Sequence, residues 1–347
     1  MFNKFLGKFS KDLGIDLGTK NTLVYTEEKG IVINEPSVVA INMRTEEILA
    51  VGEEAKKMLG KTPSYIQIIR PLVDGVISDF EVAEKMLKYF IDKVHNESLT
   101  LIPRPRVVIG IPLDITEVER KAVEDAVKSA GARQVFLVEE SMAAAIGARL
   151  PVTEAMATMV VDIGGGTTEI AVISLSGVVT WKTLRIASNE LDNNIIQYIR
   201  EEFNILIGEQ LAEEIKIKIG SATPLKEMLT MQVRGRDLIN GLPKEITISD
   251  NQVREATERT IHQIIENIKI TLETTPPELV SDIYEHGIVL TGGGSLLRGL
   301  DKEIAQATKI PVRIADDPLT CVVRGTGILL SDQELTKKVI SQNAEEV

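Results

Sequence analysis

The sequence predicts an α/β protein of two lobes around a cleft, and three observations carry that expectation. The chain has 347 residues, about twice the roughly 150 expected of a single domain. Arg106 to Val138 reads as strand, helix, strand, a unit that joins parallel strands. A short strand-turn-strand pattern near the N-terminus recurs once, 146 residues later, as in a duplicated unit.

Composition narrows the class. Hydrophobic residues at 44% and charged residues at 26% are ordinary for a folded globular chain and unlike a disordered one. The net charge of -12 comes without any strongly basic stretch, so nucleic acid is not an expected partner. Cys321 has no second cysteine to pair with, and His95, His262 and His286 lack the spacing of a zinc site, which points to reducing cytoplasm. No apolar run approaches the 18 or more residues of a spanning helix, and the N-terminus lacks a signal-peptide core.

Along the chain, Phe2, Phe5, Leu6, Phe9 and Leu13 fall on one helical stripe, with Lys4, Lys8 and Lys11 on the other side. Residues 1–12 therefore read as a basic amphipathic segment. From Leu13 the pattern is several antiparallel strands, with a turn at Glu35-Pro36. Asp79 to His95 has helical periodicity. After the strand Arg106 to Ile111, Thr116 and Glu119 form a capping box for a helix that stops at Gly131. Gln134 to Val138 is the next strand, and Ser141 to Ala148 a helix of small residues that lets other backbone come close. Leu191 to Phe203, Glu209 to Ile219 and Asp250 to Thr274 read as helices, the last ended by Pro276-Pro277. Gly287 to Leu300 reads as strand, glycine turn, helix, and the polar tail after Ser331 as frayed.

The repeat carries the chemistry. Ile15 to Val24 aligns on Val161 to Ile170, with Asp16 on Asp162, Gly18 on Gly164 and Thr22 on Thr168. Glycines present backbone N–H groups with no side chain in the way, and threonines add hydroxyls, so each turn is a candidate phosphate cradle. Asp16 and Asp162, at the strand ends, suit Mg²⁺ held through water. A Rossmann turn is set aside because EIAVISL continues as a strand and Glu169 stands where its last glycine belongs. AKKMLGKT lacks the first glycine of a Walker loop and reads as a helix end. Taken alone, DIGGGTTE is equally an ordinary glycine-rich hairpin; the partner turn at Asp16 and a third at Gly292 to Gly294 weigh against that.

These residues carry a resemblance. DLGTKNT and DIGGGTTEIAVISL resemble the two phosphate loops of the actin and sugar-kinase superfamily, and LTGGGSLLRGLD resembles its adenosine-binding turn. NEPSVVAI, IRPLVDGVISDFE, AAAIGA and TPPELVSDI narrow the likeness to the MreB family of bacterial actins, nearly end to end. The resemblance implies a two-lobed actin-like fold of duplicated ribonuclease-H-like cores and four subdomains, with ATP and Mg²⁺ in the cleft. It implies lobe I at 13–148 and 316–347, with a small subdomain at about 33–75, and lobe II at 149–315, with a small subdomain at about 185–245.

Carried over by position, Asp16 and Asp162 would organise Mg²⁺ through water. The turns at Gly18, Thr19, Lys20 and Asn21 and at Gly164, Gly165, Gly166 and Thr167 would hold phosphates. Gly292, Gly293, Gly294, Ser295 and Leu296 would meet the adenosine, and Glu213 and Lys216 match an E-x-x-K beside ribose and base, although their spacing equally suits a surface ion pair. Glu140 and Thr167 would orient the attacking water. Three departures stand out: Lys20 replaces a small residue and either adds a phosphate contact or faces solvent, Ser141 replaces proline beside Glu140, and Ile186 to Asp192 lacks a glycine and an acid of the family pattern.

The resemblance further implies a homopolymer of paired protofilaments and partnership with cell-wall elongation proteins that maintain rod shape, with slow ATP hydrolysis. The N-terminal stripe, through Phe2, Phe5, Leu6 and Phe9, would bind anionic lipids weakly per copy and firmly per filament, placing the protein on the inner face of the cytoplasmic membrane. Packing of that stripe on the protein itself is the alternative. Leu99, Leu101 and Ile102 are a second candidate contact. A small-molecule kinase of the same superfamily is the rival function.

Overall fold

The computed structural model describes residues 10–95 and 104–343. The N-terminal stripe through Phe9 and the loop carrying Leu99, Leu101 and Ile102 lie outside the described residues. Leu13 does not continue the stripe: it opens the first strand and is fully buried there.

Two five-stranded sheets share one plan. In the first, β1 (Leu13–Leu17), β2 (Asn21–Thr26) and β3 (Gly30–Pro36) form an antiparallel meander, and β4 (Arg106–Ile111) and β5 (Gln134–Glu139) add in parallel beside β1. In the second, β6 (Thr158–Ile163), β7 (Thr168–Ser174) and β8 (Gly177–Leu184) form the meander, and β9 (Ile288–Thr291) and β10 (Val312–Ile314) add in parallel beside β6. The orders are therefore β5-β4-β1-β2-β3 and β8-β7-β6-β9-β10. The ten-residue repeat in the sequence is the visible part of a repeated sheet, with Asp16 opposite Leu23 in one hairpin and Asp162 opposite Glu169 in the other.

Short elements elaborate each half. The strands Val39–Asn42, Glu47–Val51 and Ile66–Ile69 make a small sheet near helix α1 (Glu53–Met58), and Ile205–Leu206, Thr230–Asp237 and Pro243–Ser249 make another in the second half. The expected turn at Glu35-Pro36 is instead the end of β3; a proline fits there because β3 is an edge strand with no ladder partner on its outer side.

The first sheet is covered by α2 (Phe80–His95), which buries Val82, Met86, Leu87, Phe90 and Ile91 along one stripe, and by α3 (Glu117–Ser129), started by the Thr116/Glu119 capping box. Helix α4 (Glu140–Gly147) follows directly from β5 of the first sheet, and the second half carries α5 (Ser188–Phe203), α6 (Glu209–Ile219), α7 (Asp250–Thr274), α8 (Pro277–His286) and α9 (Leu300–Thr308), with a second capping box at Ser249/Gln252. Helix α10 (Cys321–Ser331) returns to pack on β1 and crosses α4. That crossing is close: a Cβ on Gly147 would lie 1.8 Å from the Cys321 carbonyl oxygen, and one on Gly325 1.9 Å from that of Ala143. The small side chains of α4 serve this approach.

The tail differs from expectation. Residues after Ser331 form α11 (Gln333–Asn343) rather than a frayed end, because Leu335 and Val339 find apolar cover and Val339 is fully buried.

Candidate functional site

Between the halves lies a cavity of about 510 Å³, large enough for a drug-sized ligand. The first turn, between β1 and β2, is held from outside the hairpin: the Ser37 hydroxyl donates to the Gly18 carbonyl at 2.6 Å, and the Ser37 amide to that of Lys20 at 3.0 Å. The second turn, between β6 and β7, is held by the start of α5, whose Ser188 and Asn189 amides donate to the Gly164 and Gly165 carbonyls at 3.2 and 2.8 Å. The segment that departs from the family pattern thus supports the second turn with its backbone.

The two turns meet. A Cβ on Gly165 would stand 2.6 Å from Lys20 Cβ, which leaves no room for a side chain there, and one on Gly166 would stand 3.0 Å from the Thr19 hydroxyl, a tight fit. The third turn follows β9. Gly292 has φ of 76°, and a Cβ there would fall 2.4 Å from the Ile163 carbonyl oxygen, so both conformation and space require glycine. The Ser295 hydroxyl closes this turn by donating to the Gly292 carbonyl at 2.6 Å.

Of the residues expected at the site, Asp16, Gly18, Thr19, Lys20, Asn21, Glu140, Asp162, Gly164, Gly165 and Thr167 line the cavity. Glu213, Lys216, Gly292, Gly293, Gly294 and Leu296 line it as well. Gly166 and Ser295 stand behind the wall and shape the turns. The lining is of two kinds: carboxylates and glycine backbone, and the apolar side chains of Ile217, Leu296, Leu297 and Leu319.

The carboxylates are charged against their environment. Burial and the neighbouring Asp162 push the Asp16 carboxyl up to about 8. Burial raises Asp162 to about 6, although the Thr291 hydroxyl donates to it at 2.6 Å. Burial raises Glu140 as well, with Glu169, Asp16 and Asp162 adding repulsion. Glu169 is pushed up to about 8 by burial, against the pull of the Leu113 and Ser141 amides that donate to it. Such a set is relieved by a cation. Asp16 and Asp162 are a donor set of the size that Mg²⁺ takes, one or two carboxylates with water and phosphate oxygens completing the shell.

Across the other wall, Lys20, Glu213 and Lys216 have partners the sequence did not reveal. Glu213 and Lys216 do not form their own i,i+3 pair. The Lys20 ammonium does not face open solvent; it pairs with Asp192 at 2.9 Å and Glu213 at 2.7 Å. Lys216 is buried, paired with Asp192 at 2.7 Å, and donates to the Ser188 carbonyl and hydroxyl at 2.8 and 2.6 Å. Burial, with Lys20 nearby, pushes it down to about 8. Burial pushes the Glu213 carboxyl up, but Lys20 and Lys56 outweigh it and hold it below its usual range.

Glu169 is the main residue the motif reading passed over as a position of chemistry. Its signal is a carboxylate in TEIAVIS, a strand buried at every position. Arg298, which ties the third turn to α6 by donating to the Ile217 and Gly220 carbonyls at 3.0 and 3.1 Å, carries no comparable mark.

Duplicated sheets, each ending in a carboxylate-bearing turn that faces the other across a cleft, define an actin-like protein. The MreB/Mbl protein family profile matches residues 10–338. The chain is 54% identical to the cell shape-determining protein MreB of Escherichia coli strain K12 over 94% of this chain and 95% of that one. It is 47% identical to the cell shape-determining protein Mbl of Bacillus subtilis strain 168, over 96% of this chain and 100% of that one. The chain belongs to the MreB/Mbl family. Its fold matches the crystal structure of MreB5 of Spiroplasma citri bound to ADP with a TM-score of 0.89 and 38% identity, covering 95% of this chain and 98% of that one. A MamK double helical filament matches with a TM-score of 0.77 and 26% identity, covering 92% of this chain and 98% of that one.

Proposed function

We propose that this protein binds ATP with Mg²⁺ in the cleft, hydrolyses it slowly, and polymerises into paired protofilaments on the inner face of the cytoplasmic membrane, where it organises wall synthesis and maintains rod shape. The observation that carries the reading is the meeting of the two turns, Gly165 against Lys20, with Asp16 and Asp162 behind them. The MreB5 relative with ADP, and a second with AMPPNP at a TM-score of 0.88, support a nucleotide as the occupant.

Bound Mg²⁺ would supply charge neutralisation for the phosphates. Asp16 and Asp162 are the residues to hold it, through water. The turn amides at Gly18 to Asn21 and Gly164 to Thr167 would bind phosphate oxygens, and the apolar side chains of Leu296 and Ile217 would take the base. Glu140 and Thr167, both 8% exposed, would orient the attacking water, and positioning of this kind needs no unusual carboxylate. The packing of α10 onto β1 supports assigning 316–347 to the first lobe with 13–148, leaving 149–315 as the second.

Self-assembly is supported by the filament-forming relative and by exposed apolar side chains at one hairpin tip, Leu238, Ile239 and Leu242. Among the described residues no helix is long and apolar enough to cross a membrane; membrane attachment is assigned to Phe2, Phe5, Leu6 and Phe9. Light scattering with ATP, with and without anionic vesicles, tests the whole reading: scattering should rise with ATP and the polymer should sediment with vesicles. A chain that stays monomeric under all conditions while phosphorylating an acceptor would favour the kinase reading, and vesicle binding that survives deletion of residues 1–10 would move the anchor elsewhere.

A further inference from the structure

We propose that Lys20 is a latch across the cleft, and that bound nucleotide leaves only as fast as this latch opens. The proposal rests on the nucleotide reading for what is released, and on the geometry of described residues for the latch.

Lys20 stands at the tip of the first turn, and its ammonium reaches Asp192 on α5 and Glu213 on α6, both on the opposite side of the cleft, at 2.9 and 2.7 Å. An exposed ion pair contributes little. Here one ammonium bridges two carboxylates, with side chains 25%, 8% and 23% exposed, so water and salt screen it less. An alanine at this position could not reach either partner.

Its Cβ also lies against the second turn, where a Cβ on Gly165 would stand only 2.6 Å away, so one residue adjoins both phosphate turns and reaches both helices of the far wall. The phosphates would lie where those turns meet. Release of a triphosphate held by both turns requires them to part, and Lys20 must then let go.

The same polarity continues along the seam. Lys56 pairs with Glu213 at 3.3 Å, Arg70 with Glu209 at 2.6 Å, and the Gln210 side-chain amide donates to the Lys56 carbonyl at 2.9 Å. Each ion pair sets a cation from the first half against a carboxylate of the second. Lys20 is the innermost and most enclosed of these cations, with Lys56 and Arg70 at 35% and 44% exposed.

The test is stopped-flow release of a fluorescent ATP analogue with Mg²⁺ from the full chain, chased with unlabelled ATP. Lys20→Met, which keeps the stem and removes the charge, should release about fivefold to tenfold faster, tenfold being about 1.4 kcal/mol, whereas Lys20→Arg should stay within about twofold. The gap between wild type and Lys20→Met should persist as salt is raised, because the enclosed Lys20 bridge is screened less than the exposed Lys56 and Arg70 pairs that both proteins keep. Equal release rates overturn the latch. So does a selective loss of triphosphate over diphosphate affinity, which would assign Lys20 to the phosphates. Hydrogen exchange on nucleotide-free protein supplies the independent arm: the Ser188 and Asn189 amides beneath the latch should exchange faster in Lys20→Met, and identical exchange overturns the proposal. If the wild type binds no analogue, the nucleotide reading fails while exchange still decides the latch.

Discussion

Glu169, on the second sheet, accepts a hydrogen bond from the Ser141 amide at 3.1 Å and another from the Leu113 amide at 2.7 Å. One buried carboxylate thereby ties β7 to both segments that leave the parallel strands of the first sheet. Glu169→Gln turns a donor toward one of those amides and should destabilise the protein by about 1–3 kcal/mol. Ser141→Pro removes a single donor at a helix position where proline is tolerated, and should cost about 0.5–1.5 kcal/mol. Urea denaturation of the two variants checks the order; equal stability of wild type and Glu169→Gln would remove Glu169 from this role.

Stability should fall as pH rises when neither metal nor nucleotide is bound. Asp16 and Glu169 are held up to about 8 and Asp162 to about 6, whereas an unfolded chain titrates them near 4. The folded state therefore keeps protons that the unfolded state has lost. That contribution is full below about pH 4 and disappears as pH climbs through about 6 to about 8. Urea midpoints in chelator should drop across this range, and Mg²⁺ with an ATP analogue should flatten the drop. Binding near pH 7 should release protons, seen as a calorimetric heat that depends on the buffer.

Binding and hydrolysis should separate by residue. Asp162→Asn retains an oxygen for the Thr291 hydroxyl, so the fold should persist while nucleotide affinity in Mg²⁺ falls about tenfold or more; in chelator the two proteins should bind alike. Glu140→Ala should slow phosphate release about 10²-fold with affinity nearly unchanged. Titration calorimetry and a phosphate-release assay, run on both variants, check the division.

The crossing of α4 and α10 should tolerate no added methyl. Gly147→Ala and Gly325→Ala each drive a Cβ into a carbonyl oxygen at under 2 Å, and each should destabilise by about 1–3 kcal/mol, or more if the helices cannot shift apart. Thermal unfolding reads the loss. Gly208→Ala, where a Cβ meets nothing within 4 Å, is the control and should unfold close to the wild type.

Local chemistry made most elements readable. The Thr116/Glu119 box, the Val82 to Ile91 stripe and the Asp16 and Asp162 turns each carry their signal within a few residues, because capping, helical periodicity and glycine turns act over that range. The tail helix escaped because its apolar content is sparse, and its stability comes from cover by distant residues around Val339. Glu169 escaped because its partners, Leu113 and Ser141, lie far away in the chain.

By itself, the amino-acid order determined an α/β chain with a duplicated carboxylate-and-glycine turn, since strand pattern, turn residues and repeat spacing are local properties. Only the folded molecule decided what those turns face. Lys20 chose two carboxylates over solvent, Lys216 chose Asp192 over Glu213, and Gly147 chose the back of α10, because each choice depends on which surfaces the two sheets bring within a few ångströms of one another.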